Sequence, residues 1–419
     1  MRASTTFFVL VLGLAGADCN VFIPDWGTQG KACHSDADCN GITCDPFATC
    51  AERVLFADQG NGGHLALPNP CGENVELSFS QDGEWAYLLV GCTKEPRRSA
   101  GWQIGFMLDE SRFVVIPVAS RDSPWTATDC LGIGPLLPFP NHNGLIAGCR
   151  NLDGDRLLFF ERSANDWRLV MNPWQQVMAK ALALSEEFTV SGASSRYVAT
   201  IDNENLLRVT DFNSNSAVLA EPASPQIKVH SVDFPGDQFH LVLGGRDISV
   251  PTKIVLATIN NNSVTFSDIV TDLSSADELS YSPGGNWLFG LVRIFSAPAE
   301  PQLYAWKVGI TYDAPKIADC PACSHMVVYQ EQTFNIVILS QAKTTPDNHT
   351  TLVEFKLSDD ATSADNLTLV EITRGGSLPG MPADLAVSAV GPDNARTPLL
   401  VLATSEAVHL WDLKRLRAD

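Results

Sequence analysis

The chain has 419 residues, 45% of them hydrophobic and 18% charged, a balance that can bury a large core and excludes a disordered polymer. Its 28 Lys and Arg against 48 Asp and Glu leave a formal net charge of -20, so the average surface repels phosphate backbones and anionic lipid, and nucleic acid is not expected as a partner. Eleven cysteines, an odd number, point to an oxidising compartment with one thiol left over.

Residues 1–17 read as an export signal: Arg2 supplies a positive start, Phe7 to Leu14 an apolar stretch, and Ala15-Gly16-Ala17 a small-residue cleavage site. The apolar stretch is too short to span a bilayer, and no later run reaches the ~20 apolar residues a membrane helix needs. The expected location is therefore outside the cytosol, secreted or held at the cell envelope. Cys19 has two readings. Bacterial lipoproteins carry lipid on a cysteine beside the cleavage site, but Asp18 departs from their pattern; the other reading is an unpaired or intermolecularly bonded thiol. Membrane contact is expected only through such an anchor.

Residues 18–52 form a separate predicted unit. Cys33, Cys39, Cys44 and Cys50 crowd a stretch with almost no aliphatic side chains, so disulfides must take the place of a core. Asp36-x-Asp38-x-Asn40-Gly41 matches the first half of a helix-loop-helix calcium loop, but position twelve falls on Phe47 where a bidentate Glu belongs. An Asx-rich turn is the simpler reading. No cofactor is expected, and calcium is the one candidate.

From residue 53 to 419 the pattern is strand, turn, strand. Leu77-Ser-Phe-Ser-Gln-Asp-Gly-Glu-Trp-Ala-Tyr-Leu-Leu-Val90 returns as Leu279-Ser-Tyr-Ser-Pro-Gly-Gly-Asn-Trp-Leu-Phe-Gly-Leu-Val292, each the signature of an antiparallel hairpin. Weaker echoes at Leu145 to Phe160, Thr189 to Ile201, Val232 to Gly244, Val327 to Leu339 and Leu385 to Leu402 make this a repeat. Units near 72–120, 125–172, 178–222, 226–272, 276–316, 322–372 and 380–413 are each long enough for four short strands. The expected fold class is all-β: a seven-bladed β-propeller, with Glu52 to Ala57 sharing a blade with Ala407 to Leu413 to seal the ring. Trp174 to Leu184 is the one stretch that reads as a helix, from its run of good helix formers. The Ser-x-Asp/Gly-Gly-x-Trp phrases resemble the repeats of TolB-like and YVTN-like propellers. That resemblance implies the fold and brings no catalytic residue with it.

The remaining cysteines fit blades. Cys71 with Cys92 and Cys130 with Cys149 each flank a hairpin, and Cys320-Pro-Ala-Cys323 reads as a tight structural disulfide, since the sequence after it continues as a strand and offers no helix to activate a thiol. No His-Glu-x-x-His, no Gly-x-Ser-x-Gly and no phosphate-cradling Gly-rich Lys loop occurs. The acidic groups Asp153/Asp155 and Asp202/Glu204 read as turns. His142 sits in a turn-like stretch, while His240 and His409 alternate with aliphatic residues as partly buried strand histidines. Trp102, Trp125, Trp167 and Trp174 fall near unit ends or loops, where indoles stack on sugars or anchor proteins. Trp85 and Trp287 are core positions. Sequons at Asn261, Asn348 and Asn366 mark candidate glycosylation sites. Trp102, Trp125, Trp167 and His142 are the candidate ligand-binding residues, for a protein or carbohydrate at one face of the ring. No catalytic residue is assigned. Three functions stay open: a non-enzymatic binding or scaffolding protein, a hydrolase or lactonase using channel carboxylates with or without a divalent cation, and a purely structural surface protein with no discrete ligand.

Overall fold

The computed structural model describes most of residues 64–419 and, before them, the short strands Thr43–Cys44, Cys50–Ala51 and Val54–Leu55; the rest of the N-terminal stretch and several connecting segments, the longest being 118–129, 171–180, 212–223 and 359–369, lie outside the described residues. The chain divides into two units, Met1–Glu52 and Arg53–Asp419. In the first, Thr43–Cys44 and Cys50–Ala51 pair antiparallel, with Cys44 opposite Cys50 in register.

The second unit is a succession of antiparallel meanders. Val75–Asp82, Trp85–Cys92, Ala100–Met107 and Arg112–Pro117 make one, and Gly132–Phe139, Gly144–Arg150, Arg156–Ser163 and Asp166–Val170 the next. Ala181–Leu184, Tyr197–Ile201 and Leu207–Asp211 follow. A curled seven-stranded sheet then runs from Val229–Asp233 through the long strand Ser263–Tyr281 to Lys316–Asp319. Cys323–Glu331, Phe334–Lys343, His349–Ser358 and Val370–Glu371 form another meander, and Pro382–Val390, Thr397–Thr404 and Ala407–Asp412 form the last, completed by His64–Pro68.

The first strands of these meanders touch in a cycle. Val75–Asp82 lies against Gly132–Phe139, which lies against Ala181–Leu184; Val229–Asp233, Ser263–Tyr281, Cys323–Glu331 and Pro382–Val390 follow, and the last returns to Val75–Asp82. Meanders radiating from a closed circle of inner strands are a β-propeller. Apolar side chains alternating along each strand meet those of the next sheet, as where Leu77, Phe79 and Leu88 pack with Leu399, Val401, Val408 and Leu410 across the last junction. Both repeats of the recurring phrase fold into an inner strand and its neighbour, and Trp287 is buried at 2% exposure. The echoes at Val232, Val327 and Leu385 occupy the same strand pair, whereas Leu145 to Phe160 falls on the second and third strands of its sheet.

Two expectations are corrected. The closing strand is His64–Pro68, paired with Ala407–Trp411, while Val54–Leu55 joins the far edge of the first meander beside Val114 and Val115. Leu65 and Leu67 alternate with Ala66 and enter the apolar cluster that holds Val408 and Leu410, and Pro68, lacking an N–H, ends the ladder. The end of the expected helix, Ala181–Leu184, is a strand bonded to Tyr197–Ile201, because alternating Ala and Leu also carry a period of two and the sheet supplies the partner. Among the described residues the helix is the six-residue Leu413–Ala418. Disulfides join Cys71 to Cys92 and Cys130 to Cys149, and Cys320 to Cys323 where one meander passes to the next.

Candidate functional site

An inner strand has a ladder partner on one side only, so N–H groups on its other edge need acceptors from elsewhere. Carboxylates of the preceding inner strand supply them. Glu76 Oε1 accepts from Leu136 N at 2.5 Å, Asp233 Oδ2 from Tyr281 N at 2.8 Å, Asp384 Oδ2 from Leu77 N at 2.6 Å, and Glu278 Oε2 from Met326 N. Each bond fastens one inner strand to the next. Gly134 makes room for one of them: its φ of +149° and the approach of the Glu76 carboxylate leave no place for a Cβ.

These bonds alter the acids that make them. Burial pushes Asp233 and Asp384 up to about 6, against the pull of the backbone bonds that Asp233 accepts and, for Asp384, of the His325 charge and then its backbone bonds. His325 stands where the belt is most polar. Its Nδ1 lies 3.1 Å from Glu278 Oε1, and although burial pulls its pKa down, the Glu278 bond and charge, with Asp384 and Asp277, hold it above the ordinary histidine value. Asp277 is itself met by Arg293 at 3.0 Å and Arg246 at 3.9 Å. Among the described residues no set of three His, Cys, Asp or Glu side chains converges to hold a metal ion.

A cleft of about 530 Å³ opens at the turn between Cys323–Glu331 and Phe334–Lys343, lined by Glu331, Gln332, Phe334, Ile336, Lys356 and Lys414. Its floor is apolar. Phe334 is 43% exposed, a large aromatic surface left to solvent, while Ile336 beneath it belongs to the core. Lys356 Nζ lies 3.3 Å from the buried Glu354 carboxylate, and Lys414 extends from the terminal helix.

No family model matches the chain, and no curated protein does. Solved structures are similar in fold. One is a Bacteroides uniformis protein described as a 6-phosphogluconolactonase, 13% identical, with a TM-score of 0.50 over 76% of this chain and 91% of that one. Another belongs to the Mitotic Checkpoint Complex, 13% identical, TM-score 0.49, covering 83% and 94%. A third is the β-propeller domain of the Trilobed protease from Pyrococcus furiosus, 9% identical, TM-score 0.43, covering 81% and 95%. Identities this low speak of fold alone.

The residues singled out in the sequence are scattered. Trp102 lies inside Ala100–Met107, opposite Leu88 and Pro117, and Trp167 inside Asp166–Val170, so both are strand positions and not loop positions. Trp125, Trp174, His142, Cys19, Cys33, Cys39, Asp153, Asp155, Asn261 and Asn366 lie outside the described residues. Asn348 is exposed just before His349–Ser358, and the hydroxyl of Thr350, the third residue of its sequon, is buried and donates to the Gly380 carbonyl at 2.9 Å. Asp202 and Glu204 belong to a turn in which Asp202 Oδ1 accepts from Leu206 N at 2.8 Å and Asn205 takes a φ of 65°.

Glu76, Asp233, Glu278, Asp384 and His325 went unread. The signal was present: an acid directly precedes an apolar residue in Glu76-Leu77, Asp233-Phe234, Glu278-Leu279 and Asp384-Leu385, one position before the recurring phrase in three cases and just inside the Val232 echo in the fourth.

Proposed function

We propose that this protein is an exported seven-bladed propeller that acts as a binding or scaffolding protein at or outside the cell envelope. Seven inner strands in the contact cycle support the blade count, and the three disulfides support an oxidising location. The observation that carries the binding reading is the contrast between belt and cleft. The inner carboxylates are occupied in holding neighbouring strands, whereas Phe334 presents an open aromatic surface in a cleft also lined by Lys356, Lys414 and Glu331. Such a site suits a protein surface that offers an apolar group beside a carboxylate.

A photo-crosslinking amino acid placed at residue 334, with one at the exposed Val370 as control, tests this in the protein's natural surroundings. A discrete adduct at 334 that is missing at 370 supports the reading, and identical patterns at both positions overturn it; an adduct to glycan would move the ligand class to carbohydrate.

The hydrolase or lactonase reading draws on one observation, the partly exposed His325–Glu278 pair beside Asp384 on the inner strands. It requires that His325→Gln and Glu278→Gln each abolish turnover of a lactone probe while the fold survives.

A further inference from the structure

The seam that closes the ring carries a stack of rings on one face. His64, from the closing strand, packs against Trp411 with centroids 4.9 Å apart and planes at 17°, and against His409 at 5.2 Å and 20°. His64 Nε2 and His409 Nδ1 meet at 3.0 Å, and His409 Nε2 is buried without a hydrogen-bond partner. The expectation of an ordinary, satisfied strand histidine at 409 is therefore met at one ring nitrogen and not at the other.

We propose that the pairing of His64–Pro68 with Ala407–Asp412 is an acid-released latch, in which proton uptake by the His64–His409 pair frees the strand that seals the propeller.

The hydrogen bond between the two rings has room for one proton. With His64 donating, His409 Nδ1 must present its lone pair; with His409 donating, His64 Nε2 must. A first added proton leaves one donor and one acceptor in place. A second puts an N–H on both facing nitrogens at 3.0 Å, so the bond is lost and two like charges face each other. His409 then also holds a charged N–H in an apolar layer, at a residue only 2% exposed.

Among the described residues no carboxylate stabilises the charge of either histidine. The layer beside Trp411 is built from Ile336, Ile338, Leu352, Leu400 and Leu402. Glu354, two residues along from Leu352, is paired with Lys356 at 3.3 Å, and Lys414 on the terminal helix is a further cation. Asp412 alternates with Trp411 onto the opposite face, where its Oδ1 accepts from Lys414 N, and Asp384 is bound to Leu77 N. Burial lowers the pKa of His64; burial and then the charge of His64 lower that of His409 to about 4. Both folded values lie below the unfolded one, so the seam is intact above about pH 6.5 and weakens as the pH falls towards 4.

The test is local hydrogen exchange, normalised to the intrinsic rate, in peptides covering 64–68 and 407–412. A single histidine shifted from 6.5 to about 4 makes the opening constant rise roughly 50-fold between pH 7 and pH 4.5. The expected result is a rise of that order at the seam, none at Trp287–Ile294, and a much smaller rise at the seam in His409→Phe, which removes the group whose value burial lowers most. An equal rise in every strand, or one that persists in His409→Phe, overturns the proposal. Should that variant not fold, histidine NMR on the wild-type protein decides: two titrations below 6.5, one near 4, support the latch, and ordinary values for both refute it.

Discussion

Asp384 offers a direct measurement of what the inner belt does for stability. Its folded pKa of about 6, against 3.8 for the free group, means that the folded protein holds this proton more tightly than the unfolded chain does. The contribution is therefore most favourable below about pH 4 and declines to a lower plateau above about pH 6. A rise from 3.8 to about 6 corresponds to about 3 kcal/mol between those limits. Asp384→Asn keeps an oxygen to accept from Leu77 N and removes the charge. Urea unfolding of wild type and variant across this range, taken as a difference, cancels every titrating group that does not touch the site. The expected difference moves in favour of the variant by about 2–3 kcal/mol between pH 4 and pH 7, the lower figure allowing for the charge of His325. Asp384→Ala leaves Leu77 N without an acceptor and should be less stable than Asn by about 1–3 kcal/mol at every pH. A difference between wild type and Asn that stays flat with pH would refute the reasoning, since Asp384 would then be no harder to ionise folded than free.

Three further outcomes follow from other parts of the ring. Replacing Cys71 and Cys92 together by Ser opens a loop with a sequence separation of 21 and should lower the unfolding free energy by about 3 kcal/mol, an effect that vanishes when both proteins are measured reduced. Gly290→Ala would bring a Cβ within 2.8 Å of the Trp306 ring and 2.9 Å of Leu279 Cδ2, and overpacking of this kind should destabilise by about 1–3 kcal/mol in the same assay. Asn69→Ala removes donations to the Thr404 carbonyl at 2.6 Å and the Gly72 carbonyl at 2.9 Å and the acceptor for Cys71 N; a loss of about 1–3 kcal/mol is expected, with exchange rising first at the seam.

Strand pairing was legible wherever an alternating apolar pattern met a Gly turn, as at Leu77 to Val90 and Leu279 to Val292. Position within the ring was not. Two short apolar stretches near the start of the second unit compete for the last sheet, and what separates them is packing against Val408 and Leu410, a contact about 340 residues distant that no local pattern encodes. Ala181–Leu184 was lost for a related reason, because a strand whose hydrogen bonds come from Tyr197–Ile201 shows only its propensity when read alone. The belt acids were hidden by their ordinariness. A Glu before a Leu at a strand start looks like solvated surface until the neighbouring inner strand brings an unpaired amide to it. His409 was seen as a strand histidine, but its partner His64 lies at the other end of the second unit, beyond any spacing argument.

The long strand Ser263–Tyr281 has a further consequence. It pairs with Thr252–Asn260 through its first part and with Trp287–Ile294 through its second, with Asp272, at a φ of 64°, where one role gives way to the other. A propeller closed by an early strand can in principle be reopened elsewhere, with new termini cut into a loop between blades and the old ones joined. This junction has no loop to cut. A circular permutant opened near Asp272 would sever ladders on both sides at once, so the two meanders flanking it are bound to form, and to come apart, as a single piece.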